Sequence, residues 1–406
     1  MSEESGPKLT ERLIRQVEAV SAHNYAPLGV VLHEAEGAWF RDVEGRRYLD
    51  MLAAYGAVNQ GHQHPRIVEA LVTQARTLAI TSRAFHNDQM GPFLERLCEI
   101  SGFERALPMN SGAEAVETAI KAMRKWGYEV KGVAPERAEV IVCEENFHGR
   151  TTTIVGFSSE ALSREGFGPV TPGFVTIPYD DVEALDAAIT PNTCGFLVEP
   201  IQGEAGVRIP DPGYIAAVAR VCRERRVLLC CDEIQTGLGR TGAMFCVDHA
   251  GVQPDLMTVG KALGGGLYPV SAVVASAEVM DVFTPGSHGS TFGGNPLAAA
   301  VGLAALDVIV EEDLPGRADR LGEQFRRWLE PLAGRAHVQE VRGQGLMNAV
   351  EFHDDRAHAV VEALMRRGIL AKDTHGATVR LTPPLVIDED DLRVAAETIV
   401  EVFGAA

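Results

Sequence analysis

The sequence is short of cations, of paired-cysteine motifs and of long apolar runs, and each shortage closes off a class of function. Thirty-seven Lys and Arg face 56 Asp and Glu, for a formal charge of −19. Binding a nucleic-acid backbone needs clustered cations, so no nucleic-acid partner is expected. A charge this far from zero keeps a chain in solution. No uninterrupted apolar stretch reaches the ~20 residues that span a bilayer, so no membrane partner is expected either. The start, MSEESGPKLTERLIRQ, lacks the apolar centre of a secretory signal, and its acidic residues count against an organelle transit peptide. A cytoplasmic location is the expectation. The cysteines are Cys98, Cys143, Cys194, Cys222, Cys230, Cys231 and Cys246. Their number is odd, no Cys-x-x-Cys occurs and several sit in apolar runs. Buried thiols of a reducing compartment are expected, with no zinc site. There is no internal repeat and no low-complexity tract.

What is present is an α/β pattern. At 406 residues the chain exceeds one ordinary core, so two domains, or one with an appendage, are expected. Strands are expected at Glu139–Cys143, Thr152–Phe157, Gly195–Val198, Val227–Cys231, Leu256–Val259 and Ser271–Ser276. Between two of them, Asp211 reads as an N-cap and Pro212 as the first residue of a helix running to Arg226. Strand, helix, strand implies a parallel crossover, hence a sheet covered by helices. Ile67, Leu71, Ala75 and Leu78 mark another amphipathic helix. Asn295-Pro296 opens a long Ala/Val/Leu-rich helix to about Glu312. It leads into a C-terminal unit with strands near Leu346–Phe352 and Ala377–Leu381 and a last helix after Asp388. The expected division is an N-terminal arm with part of a small domain (1–50), a large α/β domain (51–295) and a small α+β domain (296–406).

Several motifs can be tested. Gly237-Leu238-Gly239-Arg240-Thr241-Gly242 fits G-x-G-x-x-G, but Ile234-Gln235-Thr236 separates it from the preceding strand and no helix pattern follows, so a dinucleotide site is not expected. Gly260-Lys261 lacks the Ser/Thr and the first Gly of a P-loop. No G-x-S-x-G and no H-E-x-x-H occurs. His62-Gln63-His64 lies in a turn with no partner cluster, and no metal is expected. Asp232 and Lys261 carry more content. Asp232 ends an apolar strand, where α/β sheets bind ligands. Lys261 lies 29 residues later, between apolar LMTV and a glycine run. Desolvation there favours the neutral, nucleophilic amine. A lysine that condenses with an aldehyde and an aspartate that protonates a pyridine are the two groups pyridoxal phosphate (PLP) requires. Asn110-Ser111-Gly112-Ala113 opens a helix and suits a phosphate. Phe147-His148-Gly149-Arg150 offers a ring for stacking and a guanidinium for a carboxylate.

Together AVNQGH, LPMNSGAEAVETA, RKWGY, NFHGRT, VEPIQGEAGV, DEIQTGLGRTG, GKALGGGLYPVSAV, HGSTFGGNPL and LTPPLVI resemble the class III, fold type I, PLP-dependent aminotransferases over roughly residues 20–400. Asn24-Tyr25-Ala26-Pro27-Leu28 and Leu370–Gly376 sharpen the likeness toward members acting on L-ornithine with 2-oxoglutarate as acceptor. The resemblance implies a large, mostly parallel sheet domain covered by helices, plus a smaller α+β domain. It implies that Lys261 carries the cofactor and shuttles a proton, and that Asp232 pairs with the pyridine nitrogen. Gln235 would bond the phenolic oxygen and Phe147 would stack on the ring. Ser111, Gly112 and Ala113 would hold the phosphate, completed by Ser290 and Thr291 of a neighbouring subunit in a homodimer or larger homo-oligomer. Tyr25, Tyr55 and Arg150 would bind substrate. Glu204 and Arg380 would form a switch: paired, they admit the ω-amine; parted, they free Arg380 for the oxo acid's α-carboxylate. Departures are conservative: His148 where some relatives have Trp, Ser111 for Thr and Phe292 for Tyr. The alternatives are another ω-amine donor such as acetylornithine or 4-aminobutyrate, a PLP mutase or racemase, or a silent scaffold.

Overall fold

Of the six strands expected in the middle of the chain, five are present and lie in one sheet. The structure, a computed structural model, describes residues 8–405, so the first seven residues of that start lie outside the described residues. The central sheet comprises β1 (Arg105–Met109), β2 (Glu139–Cys143), β3 (Phe174–Ile177), β4 (Thr193–Val198), β5 (Leu228–Asp232), β6 (Leu256–Val259) and β7 (Ser271–Ala275). Their order is β1-β7-β6-β5-β4-β2-β3. Neighbours from β6 to β3 are parallel, and β7 runs antiparallel to both β6 and β1. Every residue of β4, β5, β6 and β7 is buried, as a sheet covered on both faces requires.

Two expectations fail locally. Thr152–Gly156 is a short helix, not a strand. Its β-branched run suggested extended chain, but β2 already has β3 and β4 on its two edges, and Thr151 Oγ1 caps the turn by accepting from the Ile154 amide at 3.3 Å. The β4–β5 crossover helix begins at Tyr214, not at Pro212, because Gly213 at φ 95° interposes a left-handed residue. The Asp211 amide is instead tied to Asp180 Oδ2 at 2.9 Å. Strand β1, not among the expected strands, carries Pro108, whose missing N–H is tolerated at the edge of the sheet.

Asn295 caps the Pro296–Glu311 helix as expected, its Oδ1 accepting from Ala298 N at 2.8 Å. The C-terminal sheet has Val338–Gln344, Met347–Phe352, Thr378–Leu381 and Lys372–Thr374 in that order. A third sheet joins Leu32–Glu36, Trp39–Asp42 and Arg47–Asp50 to Ile369–Leu370, so the two ends of the chain share a sheet. One apolar cluster runs through all of this, from Leu49 and Ile67 through Val198 to Phe325 and Phe403. All seven cysteines are free, and all but Cys98 are buried. Among the described residues no helix is long and apolar enough to cross a membrane.

Candidate active site

Parallel strands aim their carboxyl ends at one place. Here the residues following β2, β4, β5 and β6 converge on a cavity of about 210 Å³, walled by Phe147, Glu199, Asp232, Gln235, Lys261 and the helix start at Gly112. Its floor is Asp232, the last residue of β5 and only 5% exposed. Both carboxylate oxygens are committed. Oδ2 meets His148 Nδ1 at 2.7 Å, while Oδ1 accepts from Thr258 Oγ1 at 2.9 Å and from the Ile234 amide at 3.1 Å. Burial alone would deprotonate His148, but the bond to Asp232 outweighs it and raises the imidazole above its ordinary value.

Lys261 lies one glycine beyond β6 and opens a tight turn, Lys261–Gly264, with φ at +45°. That left-handed backbone is uncommon for a side-chain-bearing residue and is held by its surroundings. Burial lowers the ammonium pKa, against opposing pulls from Glu204, Asp232 and Glu199. The amine therefore loses its proton more readily than a surface lysine, as a nucleophile must.

Opposite the lysine stands the N-terminus of the Gly112–Trp126 helix. Ser111 and Glu114 form a capping box. Glu114 Oε2 accepts the Asn110 and Ser111 amides at 2.9 and 2.8 Å. The amides of Gly112 and Ala113, the first two of the helix, have no intrahelical acceptor and lie at the positive end of its dipole. The wall is close: a Cβ on Gly112 would meet Ile234 at 3.0 Å, and one on Gly149 would meet Ala113 Cβ at 2.8 Å.

Beside the cavity is an ion pair. Arg380 Nη1 lies 2.6 Å from Glu204 Oε1, with side chains 5% and 26% exposed. Burial pushes the Glu204 carboxyl up, but Arg380 and Lys261 outweigh it and hold it below its usual range. Gln235 Nε2 joins the pair, donating to Glu204 Oε1 at 3.3 Å and to the Tyr55 carbonyl at 3.2 Å. The Arg380 guanidinium sits 5.0 Å from the centre of the Tyr55 ring. Tyr55 belongs to four successive left-handed residues, Ala53 to Gly56. Such a run costs about 1–3 kcal/mol per non-glycine residue. Asp50 Oδ1 offsets part of it by accepting the Leu52 and Ala53 amides, both at 2.8 Å.

The remaining expected residues lie further out. Arg150 is exposed, its guanidinium 5.5 Å from the Phe147 ring. Ser290 Oγ accepts from Asn110 Nδ2 at 3.1 Å, beside the helix start. Thr291 is exposed, and Tyr25, 73% exposed, touches neither cavity nor pair in its own chain. His62 and His64 are separated by their partners, Asp50 at 2.8 Å and Glu312 at 3.0 Å. Sequence reasoning missed Glu199 and treated His148 as packing. Glu199 carries the signal that singled out Asp232, a polar residue at the carboxyl end of a buried parallel strand; His148, five residues past β2, does not. A larger groove, about 850 Å³, runs between Asp354–Arg356 and the last two helices. Two of its arginines are already paired, Arg367 with Glu401 at 2.7 Å and Arg356 with Asp354 at 2.6 Å, so the 210 Å³ cavity is the better candidate.

The donor set fits pyridoxal phosphate: a buried strand-end carboxylate for the pyridine nitrogen, free helix-start amides for the phosphate, an amine of lowered pKa for the aldehyde, and glycines where a Cβ would fill the space. Comparison with known proteins agrees. The family model for aminotransferase class III matches residues 20–403. An ornithine aminotransferase from a Geobacillus species is 54% identical over 397 residues, covering 97% of this chain and 99% of its own. The Toxoplasma gondii ornithine aminotransferase, solved with PLP at partial occupancy in its active site, superimposes with a TM-score of 0.97 at 47% identity, over 98% of this chain and 95% of that one. Acetylornithine aminotransferase from Elizabethkingia anophelis follows with a TM-score of 0.90 at 47% identity, over 98% and 100%. The chain belongs to the class III aminotransferase family of PLP-dependent enzymes.

Proposed function

We propose that this enzyme is an ornithine aminotransferase, moving the δ-amino group of L-ornithine to 2-oxoglutarate in a ping-pong cycle. The products are glutamate and glutamate 5-semialdehyde, which cyclises to pyrroline-5-carboxylate, a reaction between arginine catabolism and proline biosynthesis. The observation that carries the reading is the Glu204–Arg380 pair at 2.6 Å on the cavity's edge. One substrate must present its far amine and the other its α-carbon to the same lysine, and an arginine masked by a half-buried glutamate can serve both. Paired, Arg380 offers no free charge, so a carboxylate is not drawn in and the ω-amine enters. Parted, it binds an α-carboxylate through two parallel N–H bonds.

Bound at the cavity, PLP supplies an aldehyde for the amine and a ring that accepts electrons. The chain's residues do the rest. Asp232 keeps a proton on the pyridine nitrogen. Lys261 Nζ would take a proton from the substrate carbon and return it to the cofactor's former aldehyde carbon, on the far side of the shared nitrogen. Ser111, Gly112 and Ala113 hold the phosphate, Phe147 covers the ring and Gln235 bonds the phenolic oxygen. Tyr25, Tyr55 and Arg150 hold the distal end of ornithine, Arg150 also taking the acceptor's second carboxylate. The exposed Thr291, Phe292 and Tyr25 support a homodimer in which Ser290 and Thr291 complete the partner's phosphate site; the composition and start of the chain favour the cytoplasm. We take 51–295 as the large domain, with 1–50 and 296–406 forming the arm and small domain.

The test is to mix PLP-loaded protein with L-ornithine alone. The cofactor's long-wavelength absorbance should fall, return on adding 2-oxoglutarate, and leave trappable pyrroline-5-carboxylate. The likeness to the Elizabethkingia enzyme favours acetylornithine as the second reading. A band that ignores ornithine and answers acetylornithine would select it.

A further inference from the structure

Glu199 is the one carboxylate of the cavity wall to which neither the resemblance nor the mechanism above gives a task. It follows β4, is 7% exposed and lines the cavity with Asp232 and Lys261. Its backbone is fixed, since Tyr179 Oη donates to the Glu199 and Pro200 carbonyls at 3.1 and 3.0 Å. Its Oε2 accepts the Phe147 amide at 2.9 Å. The titratable groups whose charge reaches it are His148 and Cys143 near β2, Asp232 on β5, Lys261 after β6, and Tyr179. Among these His148 has an unsatisfied hydrogen-bonding site: Nδ1 is spent on Asp232 while the buried Nε2 has no hydrogen-bond partner. Glu199 is the second carboxylate acting on that ring.

Resting on the PLP reading of the cavity, we propose that Glu199 is a positioning residue with two separable tasks. Its Oε2 pins the Phe147 backbone, and so the ring, at the cavity wall. Its negative charge, balanced on His148, keeps the Asp232 end of the cavity able to hold a proton on the pyridine nitrogen at alkaline pH. Burial pushes the Glu199 carboxyl up to about 7, so the second task operates only above neutrality.

Two variants of the full chain separate the tasks. Glu199→Gln keeps an acceptor for the Phe147 amide but has no charge; Glu199→Ala loses both. Titrated with PLP, Glu199→Ala should bind at least about tenfold more weakly than wild type, the loss expected for a hydrogen bond to a charged acceptor, while Glu199→Gln stays within about threefold. With pyridine-¹⁵N PLP, the nitrogen of Glu199→Gln should lose its proton about one pH unit lower than in wild type and match it below pH ~6. The cofactor-free protein gives a further readout. A carboxyl raised on folding contributes stability that is complete below its unfolded pKa and lost as pH rises through the folded one. Wild type should therefore lose more stability than Glu199→Gln between about pH 5 and 8. Wild-type affinity and an unmoved nitrogen titration in both variants would overturn the proposal. If wild type itself binds no PLP, the reading of the cavity falls instead, and the cofactor-free comparison still decides whether Glu199 carries the charge.

Discussion

The floor of the cavity and the ion pair at its edge are made of the same kinds of groups and are built in opposite ways. Asp232 stands on a fully buried central strand and accepts from three donors on three segments. Removing any one leaves it held, and no rotamer change frees it. Glu204 stands on the loop after β4, 26% exposed, and meets Arg380 through one oxygen. The Arg380 Nε, though buried, has no partner. Arg380 is nearly buried, so parting the pair strands a charge unless an incoming carboxylate offers Arg380 a bidentate replacement for its single bond to Glu204. Rigidity belongs where charge must not move, and looseness where two substrates take turns.

Variants that sharpen the contrast should differ in kind as well as in size. Lys261→Ala removes the amine on which either substrate depends, and turnover should fall at least about a thousandfold, read as kcat with saturating ornithine. Asp232→Asn keeps the size and loses the charge, and should cost about a hundredfold or more in kcat for both half-reactions. An equal loss in both marks the floor as indifferent to substrate. Arg380→Lys should split the two halves, raising KM for 2-oxoglutarate about tenfold while the ornithine half-reaction changes little. Equal effects on both would remove the switch. A pH series probes the same logic in the core. Glu233, buried beneath the site and bonded to the Val247 amide at 2.8 Å, has its carboxyl pushed up to about 7 by burial. Folded Glu233 binds its proton more tightly than unfolded, so its contribution is intact below pH ~4.5 and is lost as pH rises through about 7. Urea melts should show on the order of 1–3 kcal/mol less stability at pH 8 than at pH 5, with Glu233→Gln flattening the slope. The smallest effect should come from Tyr25→Phe. If Tyr25 reaches a partner's cavity, the preference for ornithine over acetylornithine drops about threefold in kcat/KM; an unchanged preference sinks that role.

Much of the site is legible in the chain because its parts come as contiguous pieces. Asn110–Ala113 is a cap and a helix start in any context, and VLLCC followed by Asp232 reads as a buried strand delivering a carboxylate. The strand order is not legible. Nothing in Ser271–Ala275 says that it runs antiparallel between β6 and β1. Nothing local to Thr152–Gly156 says that this β-branched run closes into a helix while β3 and β4 take both edges of β2.

What the sequence by itself determined is the chemistry: a lysine in apolar surroundings, a strand-end aspartate, a helix start for an anion and, through the family likeness, the glutamate and arginine of the switch. Only the tertiary structure decided the charges. Arg380 comes from a strand 176 residues beyond Glu204, and His148 meets an aspartate 84 residues away. Whether a carboxyl sits low like that of Glu204 or near 7 like that of Glu199 depends on which cation the fold brings within bonding distance. Burial acts on both alike; the partner differs, and partners are set by how distant segments pack.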